Sequence, residues 1–200
     1  TGNHGEFSVD TAGNWSYSAN DAQAIDALGV GDQLTETFTV LSVDGTAKEV
    51  TITIDGSDDI SVISGDESSS IVDGSVLTSS GTLVADDADA GESGFRASSS
   101  SGTYGDFSIT ASGTWSYVAA NSAAINALGA GDQVTETFTV LSIDGTPKEV
   151  TITINGTNDV PVISGDDSGT ITEDGILTSS GTLVADDADT GESGFRSATT

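Results

Sequence analysis

An internal repeat with a period of 100 residues constrains the fold of this chain more than any other feature. Residues 77–89 return unchanged as 177–189, and residues 35–41 return unchanged as 135–141. These offsets are the same, so no insertion or deletion separates the copies. Self-similarity at a fixed period is the signature of tandem structural units, and each unit here has the length of an ordinary domain.

The two ends of the sequence also fit this period. If the last residue of the sequence were joined to the first, Glu6 would follow Arg196 at the same spacing at which Asp106 follows Arg96. We therefore expect a whole number of periods taken from a longer array, with both ends inside a unit. The alternative is that the two ends of the sequence lie at arbitrary positions in the array.

The charge of the chain excludes several classes of partner. Asp and Glu number 32 against 4 Lys and Arg, a formal net charge of −28. Nucleic acids require cationic groups that displace phosphate counterions, and anionic lipid headgroups repel the same surface. No apolar run is long enough for membrane insertion of this segment. Clustered carboxylates favour cations as partners.

Strand patterns dominate each unit. Residues 35–40 alternate threonine with Glu, Phe and Val, the period of two expected of a strand with one apolar face. The strand reaches a turn at Asp44-Gly45, a dipeptide that favours hairpins, and resumes at 48–54. The same hairpin is expected 100 positions later, where it turns at Asp144-Gly145.

A second hairpin is predicted between residues 7–9 and 15–17, with its turn at Gly13. Its copy turns at Ser112-Gly113. The second strand of each hairpin carries a tryptophan, and we expect Trp15 and Trp115 to anchor the core rather than to stack on carbohydrate.

One segment of each unit has helical spacing. Residues 22–28 predict a short helix with Asn20 as its cap and Gly29 as its stop, and residues 122–128 repeat it before Gly129. So short a helix is not stable alone, so we expect it to pack across the open end of the sheets. The fold class is therefore all-β, with tandem immunoglobulin-like β-sandwich modules of about 100 residues, each with one short helix.

Several stretches together resemble the VCBS repeat. They are Gly-Thr-Trp-Ser-Tyr at 113–117, the run at 124–132, and Val-Thr-Glu-Thr-Phe-Thr-Val at 134–140; residues 150–159 and 175–183 also fit. That family forms long arrays in giant bacterial surface proteins, including RTX-type adhesins exported by type I secretion. The resemblance implies an extracellular location on the bacterial cell surface and a role in cell adhesion or biofilm.

The resemblance also implies where the modules begin and end. Residues 60–159 are expected to form a complete repeat module. Residues 1–59 are then the C-terminal part of the preceding module, and 160–200 the N-terminal part of the next. The glycine-rich calcium nonapeptides of RTX tails do not occur in this sequence.

An acidic turn is the strongest candidate for chemistry. Asp87 and Asp89 stand in the pattern Asp-x-Asp-x-Gly, which places two carboxylates on one side of a tight turn, as calcium requires. The pattern recurs at Asp187 and Asp189. The alternative is that these residues only form turns on a solvated acidic surface.

Paired with Asp58-Asp59 or Asn158-Asp159, this turn resembles the calcium-binding linker of cadherins. The resemblance implies a cadherin-like module in which Ca²⁺ lies between neighbours. The first copy departs from the pattern, with Ser61 where the second has a proline. Cadherins also use a Glu of the preceding module, which the sequence does not locate. The implied metal ligands are Asp59, Asp87 and Asp89 at the first boundary, and Asp159, Asp187 and Asp189 at the second.

Catalytic patterns are missing from the sequence. Cys is absent, which excludes thiolate chemistry and disulfides. The one histidine, His4, corresponds to Tyr104 in the other copy, and no Gly-x-Ser-x-Gly elbow occurs. Paired carboxylates could cleave glycosides only within a groove. We predict that the protein is not an enzyme.

The expected function is that of a calcium-stiffened extender in a bacterial adhesin or surface fibre. Its expected partners are neighbouring modules and an unidentified cell-surface or matrix ligand. Two alternatives remain open. The first is a glycan- or ligand-binding adhesive module that uses the threonine row of Thr35, Thr37 and Thr39. The second is a self-assembling filament subunit, with lateral or end-to-end association.

Overall fold

A computed structural model describes residues 2–198. We divide it into an N-terminal region (2–59), a central region (60–159) and a C-terminal region (160–198). The N-terminal region contains two antiparallel hairpins, β1–β2 and β3–β4, and one short helix. Its elements are β1 (Gly5–Val9), β2 (Trp15–Ala19), α1 (Ala22–Asp26), β3 (Gln33–Leu41) and β4 (Ala47–Asp55).

The central region is a complete β-sandwich. One sheet has the strand order β5-β7-β10-β9-β8, and the facing sheet has the order β11-β12-β6. The pairs are antiparallel except β6–β12, which is parallel. The elements are β5 (Val62–Gly65), β6 (Ser68–Val72), β7 (Thr78–Asp86), β8 (Ser98–Ser101), β9 (Gly105–Ile109), β10 (Thr114–Ala119), α2 (Ser122–Ile125), β11 (Gln133–Leu141) and β12 (Pro147–Asn155).

The C-terminal region pairs β13 (Val162–Gly165) with β14 (Leu183–Asp186), in the register that β5 and β7 adopt 100 positions earlier. Within the described residues, the predicted all-β sandwich is confirmed, as are both predicted hairpins. No described helix is long and apolar enough to cross a membrane.

The core lies between the two sheets of the central region. Strand alternation points Phe107, Trp115 and Phe138 inward, where Phe107 and Phe138 stack with ring centroids 4.8 Å apart. The Trp115 indole Nε1 donates to the backbone oxygen of Asp66 at 2.8 Å. Ile125 of α2 belongs to the same core, so the helix packs on the sheets.

Trp15 departs from the sequence prediction. Its side chain is 53% exposed, whereas Trp115 is fully buried. The reason is that no described strand pairs with β2 on the side that β7 occupies beside β10. The Trp15 ring stacks on Phe7 at a centroid distance of 5.8 Å.

The helices also differ from prediction, because they begin at another cap and end earlier. Asp21, not Asn20, caps α1 by accepting a hydrogen bond from Ala24 N at 3.3 Å, and Asn121 caps α2 in the same way. The helices end before residue 28 or 128, where the backbone packs against the loop that follows β4 or β12. At Gly56 this approach is so close to the Leu28 and Gly29 carbonyls that no side chain fits.

Candidate metal sites between successive regions

The predicted acidic turn forms directly after β7. Asp87 Oδ1 accepts a hydrogen bond from Asp89 N at 2.9 Å, an arrangement typical of aspartate in tight turns. The turn directs the Asp89 side chain inward, where it is only 2% exposed. After β14, Asp187 Oδ1 and Asp189 N form the same bond at 2.8 Å, and Asp189 is equally buried.

The buried aspartates have one satisfied oxygen and one that has no partner. Asp89 Oδ2 accepts from Asp59 N at 2.8 Å, and Asp189 Oδ2 accepts from Asp159 N at the same distance. The Oδ1 atoms of both aspartates are buried without a hydrogen-bond partner. A buried carboxylate oxygen left unpaired is costly unless a cation neutralises it. This orphaned atom, at the same place in both junctions, is what a bound metal ion would explain.

Two further carboxylates surround Asp89. One ligand oxygen each from Asp58, Asp89 and Glu92 lie within 4.8 Å of one another. Oxygen donors of this kind, on flexible linkers and turns, are the ligands that calcium prefers. Burial raises the pKa of Glu92, and the charges of Asp89 and Asp58 raise it further. Glu92 therefore resists ionisation, and a cation bound beside it would reverse that effect.

The acidic turn contacts the region that precedes it. Ala90 N donates to Ala27 O at 3.2 Å, and Thr190 N donates to Ala127 O at 3.1 Å. Gly29 also packs against Glu92 and Asp89. The metal-binding candidates thus lie where the loop after a helix meets the turn of the following region, at both junctions.

The second junction includes an acidic residue from its preceding side. Burial raises the pKa of Asp159, with further contributions from the charges of Asp189, Asp73 and Asp187. Asp73 is a buried residue just after β6, in the central region. Its charge acts on Asp159 from the side of the junction that precedes it, and Asp73 is therefore a candidate for the preceding-module acid that the sequence did not locate.

The first junction has a hydrogen-bond network that the second cannot form. Ser61 Oγ lies 2.6 Å from Asp87 Oδ2 and 2.8 Å from Asp144 Oδ1, and Ser61 N donates to Asp144 Oδ2 at 3.2 Å. Burial opposes ionisation of Asp144, but hydrogen bonds from Ser142, Thr146 and Ser61 outweigh it and hold its pKa far below the usual range. In the second junction Pro161 replaces Ser61 and has no N–H to donate.

The structure thus divides the predicted ligands into different roles. Asp89 and Asp189 are the buried residues of each site, and Asp59 and Asp159 reach them through their backbone N–H groups. Asp87 and Asp187 hold the turn, and both oxygens of Asp87 already accept hydrogen bonds.

Three acids were not predicted as ligands: Asp58, Asp73 and Glu92. Each is acidic or an amide in both copies, since the counterparts are Asn158, Glu173 and Glu192. Repetition of an oxygen-bearing side chain at these positions is the signal that could have identified them. An Asn side chain offers calcium a carbonyl oxygen, so the second copy keeps a ligand at the position of Asp58.

Comparison with known protein families gives a match over the central region. Residues 58–156 match the bacterial cadherin-like domain family. The match begins at Asp58, in the first junction, and extends to the end of β12, so it covers the complete sandwich. Cadherin-like domains generally bind calcium, and the bacterial ones are typically extracellular or surface-associated. None of the curated proteins compared with the chain matches it.

The cadherin-like match agrees with the position of the candidate sites. Asp58, Asp89 and Glu92 lie within the matched residues, and Asp159 lies just after them. A match of this kind is typical of an extracellular adhesion or repeat module.

Proposed function

We propose that this chain is a structural repeat segment of a bacterial extracellular adhesin or surface fibre, and that calcium stiffens it at each junction. The repeat modules are residues 1–59, 60–159 and 160–200, in the phase of the VCBS repeat that the sequence resembles. The cadherin-like match supports an extracellular role. The partners of each module are its neighbours in the array and an unidentified cell-surface or matrix ligand.

One observation carries this proposal: the unpaired, buried Oδ1 atoms of Asp89 and Asp189. The two atoms belong to different junctions, yet each lies in a turn bonded to the loop of the preceding region, at Ala27 or Ala127. The same orphaned oxygen and the same contact across the boundary thus occur at both junctions, as the identity of residues 77–89 and 177–189 leads us to expect.

The proposed mechanism follows from the charges. Without metal, Asp58, Asp89 and Glu92 repel one another, and the contact between adjacent regions is weakened. Calcium held by these carboxylates draws the linker and the turn together, and Asp73 adds a ligand from the preceding side at the second junction. Binding to this folded arrangement alone stabilises it, by about 2.7 kcal/mol per site at a concentration 100 times the Kd. The protein performs no catalysis in this role.

Thermal unfolding and small-angle X-ray scattering of the full chain, in EDTA and in millimolar CaCl₂, test the proposal. Calcium is expected to raise the melting temperature and to lengthen and stiffen the particle. Magnesium is expected to do much less, because it demands a small octahedral shell and dehydrates reluctantly. Identical unfolding and scattering curves in EDTA and in calcium would refute the metal's role.

Matched variants assign the effect to each junction. Asp89→Asn keeps the shape and one acceptor oxygen but removes the charge, and is expected to abolish the calcium effect of the first junction only. Asp189→Asn does the same for the second, and the double variant is expected to respond to calcium no longer. Glu49→Gln, on the exposed face of β4, removes one charge away from both junctions and is the control.

The threonine rows favour a second candidate function. Thr135, Thr137 and Thr139 are all exposed along β11, as are their counterparts on β3. Such a flat polar row suits a repeated adhesive surface for glycans. Binding of the chain to a glycan array, lost when the three threonines are replaced by glutamate, would support this function over a purely structural one.

A further inference from the structure

The two junctions share the same acidic turn but differ in the region that precedes it. Every acidic residue from 86 to 93 is repeated from 186 to 193, so the turn gives both junctions the same charge. Between residues 1–59 and 101–159, in contrast, four aspartates of the first copy become asparagine in the second, and no asparagine becomes aspartate. The four are Asp21, Asp26, Asp55 and Asp58, whose counterparts are Asn121, Asn126, Asn155 and Asn158.

These four positions lie at the end of the region that meets the following turn. Two of them flank α1, and the other two lie at or just after the end of β4. The loop after α1 contacts the turn, because Ala90 N donates to Ala27 O at 3.2 Å. The loop after β4 contacts it as well, through the hydrogen bond from Asp59 N to Asp89 Oδ2. The charge difference between the copies is therefore placed at the junction.

The four aspartates have different surroundings. Asp58 offers a ligand oxygen within 4.8 Å of those of Asp89 and Glu92. Asp21 has a partner of its own, because its Oδ2 lies 3.0 Å from Nδ1 of His4. The other two, at positions 26 and 55, are exposed, and neither forms an ion pair with any described residue. Asp58 is thus placed to bind a cation directly, whereas these two act on it through their charge.

The geometry around the buried carboxylate is otherwise alike at the two junctions. A Cβ built on Gly29 would lie 3.2 Å from Glu92 Oε1, and the corresponding distance at the second junction is 3.3 Å. The Oδ1 atoms of Asp89 and Asp189 are both buried without a hydrogen-bond partner. A cation would therefore meet the same turn and the same orphaned oxygen at either junction, and the charge beside them is what differs.

We propose that the two junctions bind calcium with unequal strength, the first more tightly, because asparagine replaces aspartate on the preceding side of the second. This inference rests on the proposed calcium-dependent function. The affinity of a calcium site depends on how many of its ligands are charged. Asn158 keeps a carbonyl oxygen where Asp58 has a carboxylate, so the second junction retains a ligand and loses a charge.

Unequal affinity divides the response of the array into two steps. The stabilisation of each junction depends on the ratio of the calcium concentration to the Kd of that junction. At concentrations between the two Kd values, the first junction is braced while the second still moves freely. The choice of Asp or Asn at the position of Asp58 thus sets the calcium concentration at which a junction stiffens.

Isothermal titration of the full chain with CaCl₂ measures each junction separately. Asp189→Asn leaves the first junction as the binding site, and Asp89→Asn leaves the second. The Kd of the first junction is expected to be lower than that of the second by about 10-fold or more. Far-UV circular dichroism in EDTA checks that every variant is folded.

Reciprocal substitutions test the cause within each junction. Asp58→Asn, made in the Asp189→Asn chain, is expected to raise the Kd of the first junction about 10-fold. Asn158→Asp, made in the Asp89→Asn chain, is expected to lower the Kd of the second by a similar factor. Each substitution introduces the residue that the other copy already has at that position. Glu49→Gln removes one charge near the opposite end of β4 and is expected to change neither Kd.

Salt separates the ligand from the more distant charges. The double variant Asp26→Asn and Asp55→Asn removes two exposed charges, so it is expected to raise the Kd of the first junction about 3-fold at low ionic strength and to have no effect near about 1 M salt. The effect of Asp58→Asn is expected to persist at high salt, because a ligand contacts the ion directly.

Two results would overturn this proposal while leaving the calcium-stiffened function in place. One is a first junction whose Kd equals or exceeds that of the second, and the other is a Kd that Asp58→Asn leaves unchanged. A chain that takes up no calcium at either junction would overturn both proposals together. Equal effects of Asp58→Asn and Glu49→Gln would also refute the assignment, since they would show that net charge, and not the ligand at the junction, sets the affinity.

Discussion

Residues 5–55 and 105–155 fold into the same two hairpins, yet they bury their apolar side chains to very different extents. The registers agree pair for pair, from Gly5 opposite Ala19 to Gly105 opposite Ala119. The ring stack is the same too, since Phe7 and Phe38 lie 4.7 Å apart at 10°. Only the copy in the central region has residues 62–86 above it.

The difference separates what is local in this fold from what is not. Hairpin register and aromatic stacking depend on residues of the two hairpins themselves, and they form in both copies. Burial of Trp115 depends on two strands that come earlier in the sequence. These are β7, which pairs with β10, and β6, which pairs in parallel with β12. Non-local pairing of this kind gives a β-sandwich most of its stability.

Replacement of each tryptophan by alanine is the strongest test of this difference in burial. Trp115→Ala is expected to lower the free energy of unfolding by about 3–5 kcal/mol, because it empties a buried site. Trp15→Ala is expected to lower it by less than about 1 kcal/mol, because half of the ring is already in water. Urea denaturation followed by far-UV circular dichroism measures both. Equal losses would mean that the two copies are equally packed in solution.

Two turn glycines sharpen the same comparison. Gly13 and Gly113 have φ of +86° and +83°, so alanine at either position is strained by about 1 kcal/mol. A Cβ on Gly13 would meet nothing within 4 Å, whereas one on Gly113 would lie 2.0 Å from Leu83 O. Gly113→Ala therefore also displaces β7 and is expected to cost about 2–4 kcal/mol in total. Urea denaturation of both variants checks this, and similar losses would show that β7 adapts without penalty.

The sequence predicted the local part of this fold well. Both hairpins could be predicted from the alternation of apolar and polar residues and from the Asp-Gly and Gly turns. The alternation has the side-chain period of a strand, and the turns fix the register of the paired strands. The fate of Trp15 could not be predicted from its own surroundings, which match those of Trp115. The helix cap at Asp21 was missed because Asn20, one position earlier, is an equally good cap by residue type.

The candidate site could be predicted only in outline. The spacing of Asp87 and Asp89 indicated a tight turn, but not that Asp87 would spend both oxygens on hydrogen bonds while Asp89 became buried. Glu92 and Asp73 join the junctions through tertiary packing. Spacing along one chain shows which acids share a turn, whereas a metal site also depends on which acids meet across a boundary.

Tyr17 and Tyr117 are a third pair, and they form the same side-chain hydrogen bond in two environments. Tyr17 Oη donates to Glu36 Oε2 at 2.7 Å, and Tyr117 Oη donates to Glu136 Oε2 at 2.8 Å. The hydrogen bond to Glu36, aided by burial, raises the pKa of Tyr17 to about 12. For Tyr117 burial is the larger cause, and the bond to Glu136 is the second.

Removing each hydroxyl is expected to have the smallest effect of the three pairs. Tyr117→Phe leaves a buried Glu136 oxygen without its donor and is expected to cost about 1–3 kcal/mol, and Tyr17→Phe is expected to cost less. Denaturation at neutral pH measures both. A loss for Tyr17→Phe as large as that for Tyr117→Phe would mean that the hydrogen bond, and not burial, sets the effect.

The pH dependence of the same variants tests the origin of these bonds. A tyrosine with a raised folded-state pKa contributes stability that is complete below pH 10 and is lost as the pH rises towards 12, because the unfolded chain releases its proton first. The free energy of unfolding of the wild type is therefore expected to fall over this window, and each Phe variant to fall less. Groups far from the substituted tyrosine are the same in all the variants, so their contribution cancels in the difference. Denaturation at several pH values, with tyrosinate absorbance recorded in parallel, gives that difference. If both Phe variants kept the full wild-type loss, the alkaline instability would come from other groups, and the carboxylate partners would matter for packing alone.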